Sequence, residues 1–262
     1  MHRVRVFAMS AALLVAPFAT GCELAMAREQ ATAEWTKSYP LAAGGRLEID
    51  NVNGRIDVQG WDGSTVDVRA ERLGKGATPD EAKRMLDRIQ IAEEISGSRV
   101  RLQTKITTST TSWLGGGTEV RYFVKVPPGA EIDVETVNGG IEITGVRGRV
   151  IAETTNGGVT ARRIAGPIDA STTNGGVDVD VEAVMEPGID LECTNGGISL
   201  RLPRDAKATL AASITNGGIH ADNLPIELDG EATRRRLQGR LNGGGPRIAL
   251  DGTNGGIRIS AR

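Results

Sequence analysis

The chain has 262 residues, with 31 lysines and arginines against 33 aspartates and glutamates, for a net charge of −2. That balance carries no electrostatic footprint for nucleic acid, and two cysteines exclude a disulfide framework. Thirty-five glycines with only 3% aromatic residues point to a regular architecture with many tight turns and small inward side chains.

Arg3 and Arg5 precede an uncharged apolar run from Val6 to Phe18. About 13 residues is too short for a membrane span and fits a secretory signal core. Ala19-Thr20-Gly21-Cys22 resembles a bacterial lipobox, with Ala where Leu is usual, which makes Cys22 the lipid-attachment residue and residues 1–21 the signal peptide. The alternative is ordinary cleavage after Ala25-Met26-Ala27, giving a soluble periplasmic or secreted product from Arg28. Processing at Cys22 removes two basic residues and no acidic ones, leaving a net charge of −4. Residues 22–38 are expected as a tether, 39–262 as one domain, and 72–118 as an insertion within it.

Within that insertion, Thr78-Pro79-Asp80-Glu81 reads as a capping box with Pro at the first helical position. Ala82, Met85, Leu86 and Ile89 follow at helical spacing, predicting one short capping helix near 79–90. Strands are expected at 66–68, 99–106 and 120–126. The Thr/Ser-rich segment 107–117 reads as a polar hairpin tip whose Trp113 and Leu114 form a contact loop.

The rest of the chain is organised by a repeat. Asn-Gly-Gly-Ile/Val occurs at Asn138, Asn156, Asn174, Asn195, Asn216 and Asn254, with degenerate copies at Asn53 and Asn242. Apolar residues recur four before each full copy and three and five after it, as in Ala152, Val159 and Ala161, with polar residues between. That is the period-two signature of half-buried strands flanking a turn. Units of 18–21 residues cannot bury an apolar face alone; stacked as coils they can. The fold class expected is therefore all-β, a β-solenoid. The triplet should bend each coil through left-handed Asn and positive-φ Gly, while Asn53, Asn138, Asn156, Asn174, Asn195, Asn216 and Asn254 stack as an amide ladder. The threonines immediately before them, Thr155, Thr173 and Thr194 among them, are expected to form a second ladder.

These motifs, with Asn-Val-Asn-Gly-Arg-Ile at 51–56 and Val-Pro-Pro-Gly-Ala at 126–130, resemble the bacterial putative adhesin family from about Tyr39 to Arg262. The resemblance implies a right-handed β-helix-like solenoid in the bacterial envelope. It supplies no catalytic residues.

Function is then expected to be non-catalytic: an envelope-anchored adhesin or surface or periplasmic binding scaffold, without metal or cofactor. Its partners are the membrane, through the lipid, and an envelope polymer or protein. The alternative is a polysaccharide-active β-helix lyase or hydrolase, for which outward Glu135 and Glu153 stand at about retaining-glycosidase spacing. His220 reads as a solvated outward residue and Cys193 as a buried thiol. Arg234, Arg235, Arg236 and Arg240 form the basic cluster, a solvated excursion or a contact for anionic headgroups.

Overall fold

The computed structural model describes residues 29–42, 44–107 and 116–262; Cys22, the signal segment, Trp113 and Leu114 lie outside the described residues. The N-terminal third comprises β1 (Glu29–Pro40), β2 (Arg46–Asn53), β3 (Ile56–Gly60), β4 (Thr65–Gly76), α1 (Pro79–Asp87), β5 (Ile89–Ser96), β6 (Arg99–Ile106) and β7 (Gly117–Val126). Four regular coils follow: β8 (Glu131–Asn138) with β9 (Ile141–Thr144), β10 (Val150–Asn156) with β11 (Val159–Ile164), β12 (Ile168–Asn174) with β13 (Val177–Val181), and β14 (Gly188–Asn195) with β15 (Ile198–Leu202). The chain ends with β16 (Ala208–Asp222), β17 (Ile226–Leu228), β18 (Arg236–Leu241) and β19 (Arg247–Ala261).

Each coil lays one strand on either side of an asparagine corner. The strands before the corners stack in parallel as one wall, and those after them as the other. Ala152 of β10 stands between Val134 and Ala170, and Val159 of β11 between Ile141 and Val177. Like residues therefore face inward at every level, and the space between the walls is filled by Ile, Val, Leu and Ala, among them Val134, Ile143, Ala152, Val179, Leu191 and Leu200. Small residues on facing strands let the two walls approach.

At both ends, sequence order and spatial order part. β2/β3 lies between β6/β7 and β8/β9, so the first coil is an interior one. β19 runs through both walls between β14/β15 and β16, so the last coil is also interior. The side chains suit this placement: β19 brings Ile248, Leu250, Ile257 and Ile259, all essentially fully buried. β16 brings Ala212 and Ala221 to the same rows, and at its outer position Ala221 is exposed. The outermost strands are then covered by antiparallel partners: β18 on the first half of β16, β17 on β18, β5 on β6, and β4 and β1 beyond β7. Such covering blunts exposed edges.

Three expectations change here. Residues 29–38 are not a tether but most of β1, paired with β4 over its whole length; Ala31, Ala33, Trp35 and Tyr39 alternate inward, and Tyr39 is buried. The segments 99–106 and 117–126 are not a hairpin, because β6 and β7 pair with β2 and β3 on opposite walls and so form a coil without an asparagine corner. The helix ends at Asp87 rather than near 90, since Ile89 already pairs with Ile106 in β5. Its start is as expected: Thr78 Oγ1 accepts from Glu81 N at 3.2 Å, and Glu81 Oε2 from Ala77 N at 2.9 Å. Ala82 and Met85 are buried, and Ala82 approaches Gly74 of β4, where a Cβ would stand 2.2 Å from its carbonyl oxygen.

Burying four Ile/Leu side chains is worth roughly 6–12 kcal/mol, on the scale of a whole domain's net stability. A chain ending at Pro246 loses those four and leaves β14, β15 and β16 without their shared neighbour. Circular dichroism on heating should show no cooperative transition for it, and soluble yield should collapse.

Candidate functional site

The corners form one continuous line. Asn138 Nδ2 donates to Asn53 Oδ1 at 2.8 Å, and Asn156 to Asn138, Asn174 to Asn156 and Asn195 to Asn174 at 2.9–3.0 Å. The line continues in spatial order, Asn254 to Asn195 and Asn216 to Asn254, each at 2.9 Å. All seven asparagines are joined by six amide–amide hydrogen bonds.

None of these asparagines has positive φ; the bend falls on the first glycine, with φ of 144–154° at Gly157, Gly175, Gly196, Gly217 and Gly255. The reason is proximity rather than asparagine's tolerance of left-handed backbone. A Cβ on Gly157 would stand 2.0 Å from Gly139 O, and one on Gly175 1.9 Å from Gly157 O. The second glycine is less confined: a Cβ on Gly158 would stand 3.1 Å from Gly176 O, and one on Gly140 would meet nothing closer than 3.5 Å.

The hydroxyl ladder runs one residue earlier than expected. Thr155, Thr173 and Thr194 are exposed, whereas Thr136, Thr154 and Thr172, two before the asparagine, are buried. Thr154 Oγ1 donates to Gly139 O at 2.9 Å and Thr172 Oγ1 to Gly157 O at 2.8 Å. Cys193 takes the same position on Gly175 O at 3.3 Å, and burial pushes its thiol pKa up, which keeps it protonated. Asn51 does so in the first coil, donating to Gly54 O and Val120 O. At the corners of Asn138, Asn156, Asn174 and Asn195, the carbonyl that leaves no room for a side chain on the first glycine is thus bound by a buried donor. The signal in sequence was Thr136, Thr154 and Thr172 at one constant offset.

Gly157→Ala should therefore cost about 2–4 kcal/mol, from strain and from the clash with Gly139 O, and lower the melting temperature by roughly 5–15 °C. Gly140→Ala should shift it by about 2 °C or less.

The outward face of the first wall is acidic. Glu135, Glu153, Ser171, Glu192 and Asp251 follow one another across β8, β10, β12, β14 and β19. At the N-terminal end the carboxylates are paired: Arg99 with Glu48, Arg101 with Asp50 and Arg46 with Asp133. Further along, Glu153 is held above the usual carboxylate range, first by desolvation and then by the charges of Glu135, Asp169, Asp133 and Glu192. A carboxyl whose folded pKa is raised favours the folded state most when protonated, and that contribution is lost as pH rises through the folded pKa. Glu153→Gln should raise the melting temperature at pH 7 by about 1–2 °C and leave it unchanged at pH 4.

Glu135 and Glu153 are direct cross-strand neighbours, as their spacing predicted. His220 is exposed, on β16. The buried tyrosines belong to the N-terminal end: Tyr39 Oη donates to Glu93 at 2.6 Å, and Tyr122 Oη meets Thr104 at 2.8 Å. Beside them, the Arg69 guanidinium stacks 4.2 Å from the Phe123 ring centroid. Among the described residues, no group of three or more His, Cys, Asp or Glu side chains is arranged to hold a metal ion, and no helix is long and apolar enough to cross a membrane.

The structure of a putative cell adhesion protein from Clostridium sporogenes aligns with a TM-score of 0.50 and 11% identity, over 88% of this chain and 100% of that one. A putative adhesin from Bacteroides fragilis aligns with a TM-score of 0.39 and 12% identity, over 88% of this chain and 97% of that one. No curated protein sequence matches. The first alignment shows a shared fold. Residues 46–260 match the family profile described as Toastrack DUF4097, which spans every corner asparagine from Asn53 to Asn254, and the chain belongs to that family.

Proposed function

We propose that the protein is a non-catalytic binding scaffold of the bacterial cell envelope, adhesin-like in role, held to a membrane by a lipid on Cys22. The observation that carries this reading is the unbroken asparagine line. Six amide bonds fix seven coils in one register, so the outward rows repeat at the ~4.8 Å spacing of paired strands. A rigid plate with repeating outward rows suits an extended envelope polymer or protein partner. The cell-adhesion role proposed for the C. sporogenes protein agrees with it. Right-handed winding of the coils and the structural role of the asparagine line belong to the same proposal, as does the pair Trp113 and Leu114 as a contact loop.

The anchor is tested by mass spectrometry of the mature N-terminus: a diacylated Cys22 is expected, and a free Arg28 refutes it. The pair Glu135 and Glu153 favours a second reading, a polysaccharide-active enzyme, because the carboxyl of raised pKa would be the acid and its neighbour the base or nucleophile. Binding without turnover on purified glycans is expected. Turnover that disappears in the Glu135→Ala/Glu153→Ala double variant, with the melting curve intact, would overturn the non-catalytic assignment.

A further inference from the structure

At the C-terminal end of the second wall, the glycine corners of β16 and β19 floor a depression of about 430 Å³. Gly218 lies beside Gly256, and Gly197 belongs to the next corner. With no side chains on the floor, a ligand can approach the backbone closely. Around it stand three basic side chains, Arg234, His220 and Arg258.

Their positions are fixed by backbone pairing. His220 and Arg258 are direct partners in the parallel register of β16 and β19, which sets their Cα atoms about 4.8 Å apart on one face. Arg234 comes from the excursion between β17 and β18, whose backbone is pinned to the edge of β16. Ile219 N donates to Arg234 O, and Ile214 N to Arg235 O, each at 3.0 Å. Arg234 therefore lies over Gly218: a Cβ on that glycine would stand 3.4 Å from Arg234 Nε and 3.5 Å from His220 Cε1.

The charge is uncompensated. Among the described residues neither Arg234 nor Arg258 forms an ion pair, whereas Arg240, from the same basic run, is bound to Asp229 at 3.3 Å. The lining of this depression contains no carboxylate; those along the first wall contain Asp169 and Asp190, or Glu135, Glu153 and Glu192. Asp222 follows His220 by two residues on the same strand but is not part of the lining. Like charges gathered without counterions repel, and an anion that fills the gap between them removes the repulsion.

We propose that this corner binds a phosphate monoester group, carried by a soluble ligand or by a lipid headgroup. Two guanidinium forks offer paired N–H donors to tetrahedral oxyanions, and the imidazole adds a ring N–H donor beside them.

The processed protein is titrated with glycerol 3-phosphate by calorimetry. It is also sedimented with phosphatidylcholine vesicles with or without phosphatidic acid, at low and high salt. Binding is expected in at least one arm, weakened by salt. The Arg234→Glu/Arg258→Glu variant should bind at least about tenfold more weakly, while Arg84→Glu on α1 at the opposite end leaves binding unchanged. Binding of glycerol 3-phosphate supports recognition of the phosphate group itself. Binding only to phosphatidic acid vesicles supports a lipid-borne phosphate. No binding in either arm at low salt overturns the proposal, as does a double variant that keeps its melting temperature and binds within twofold of the parent.

Discussion

Everything in this solenoid depends on a contact that only glycine permits. Strand pairing brings successive coils to about 4.8 Å, and at the corner the backbone of one coil presses on a carbonyl oxygen of its neighbour. Gly139, Gly157, Gly175, Gly196 and Gly255 all sit where a Cβ would fall within about 2.2 Å of such an oxygen. At the first four of these the contact is reinforced from both sides: a buried Asn, Thr or Cys donates to that oxygen, and the exposed asparagines bond to one another outside it. Glycine supplies the space, threonine satisfies the acceptor, and asparagine ties the outer edge.

A stack built this way has two exposed ends, and the chain closes both by the same manoeuvre. The first coil in sequence and the last are both inserted one level inside the stack, and the segment adjacent to each forms the outer level. Both ends of the folded domain are thereby held by neighbours on two sides. Antiparallel strands then cover much of the remaining edge. Nearest-neighbour stacking no longer follows the chain, so the terminal levels form only when segments distant in sequence come together. In repeat proteins that stack in sequence order, by contrast, stability accumulates unit by unit.

The register that aligns the core also aligns the charges outside it. Along the first wall, arginines of β2 and β6 neutralise the acidic rows at one end, and further on burial and acidic neighbours hold the Glu153 carboxyl above its usual range. At the far end of the second wall, the excursion after β17 lays Arg234 beside His220 and Arg258. The protein thus carries acidic and basic surfaces on different walls at a small overall charge, which composition averages away.

What the sequence determined by itself was the repeated unit. Asparagine spacing and period-two apolar rows are local patterns, and they led directly to strands, corners, inward residues and the amide line. The capping box did the same for the start of α1. The role of the first glycine and the buried threonine row needed the neighbouring coil, since both are defined by an oxygen 15–18 residues away. The spatial order of the coils was decided only in three dimensions. Six of the seven asparagine corners carry the same triplet, so the repeat cannot say which of those coils lies next to which. The rows differ in what burial gains: Ile259 in β19 is packed by neighbours on both sides, while its partner Ala221 in β16 gives up little at the rim. The Thr-rich linker between β6 and β7 misled for a related reason. Two strands joined by a polar segment look like a hairpin until each is claimed by a different wall.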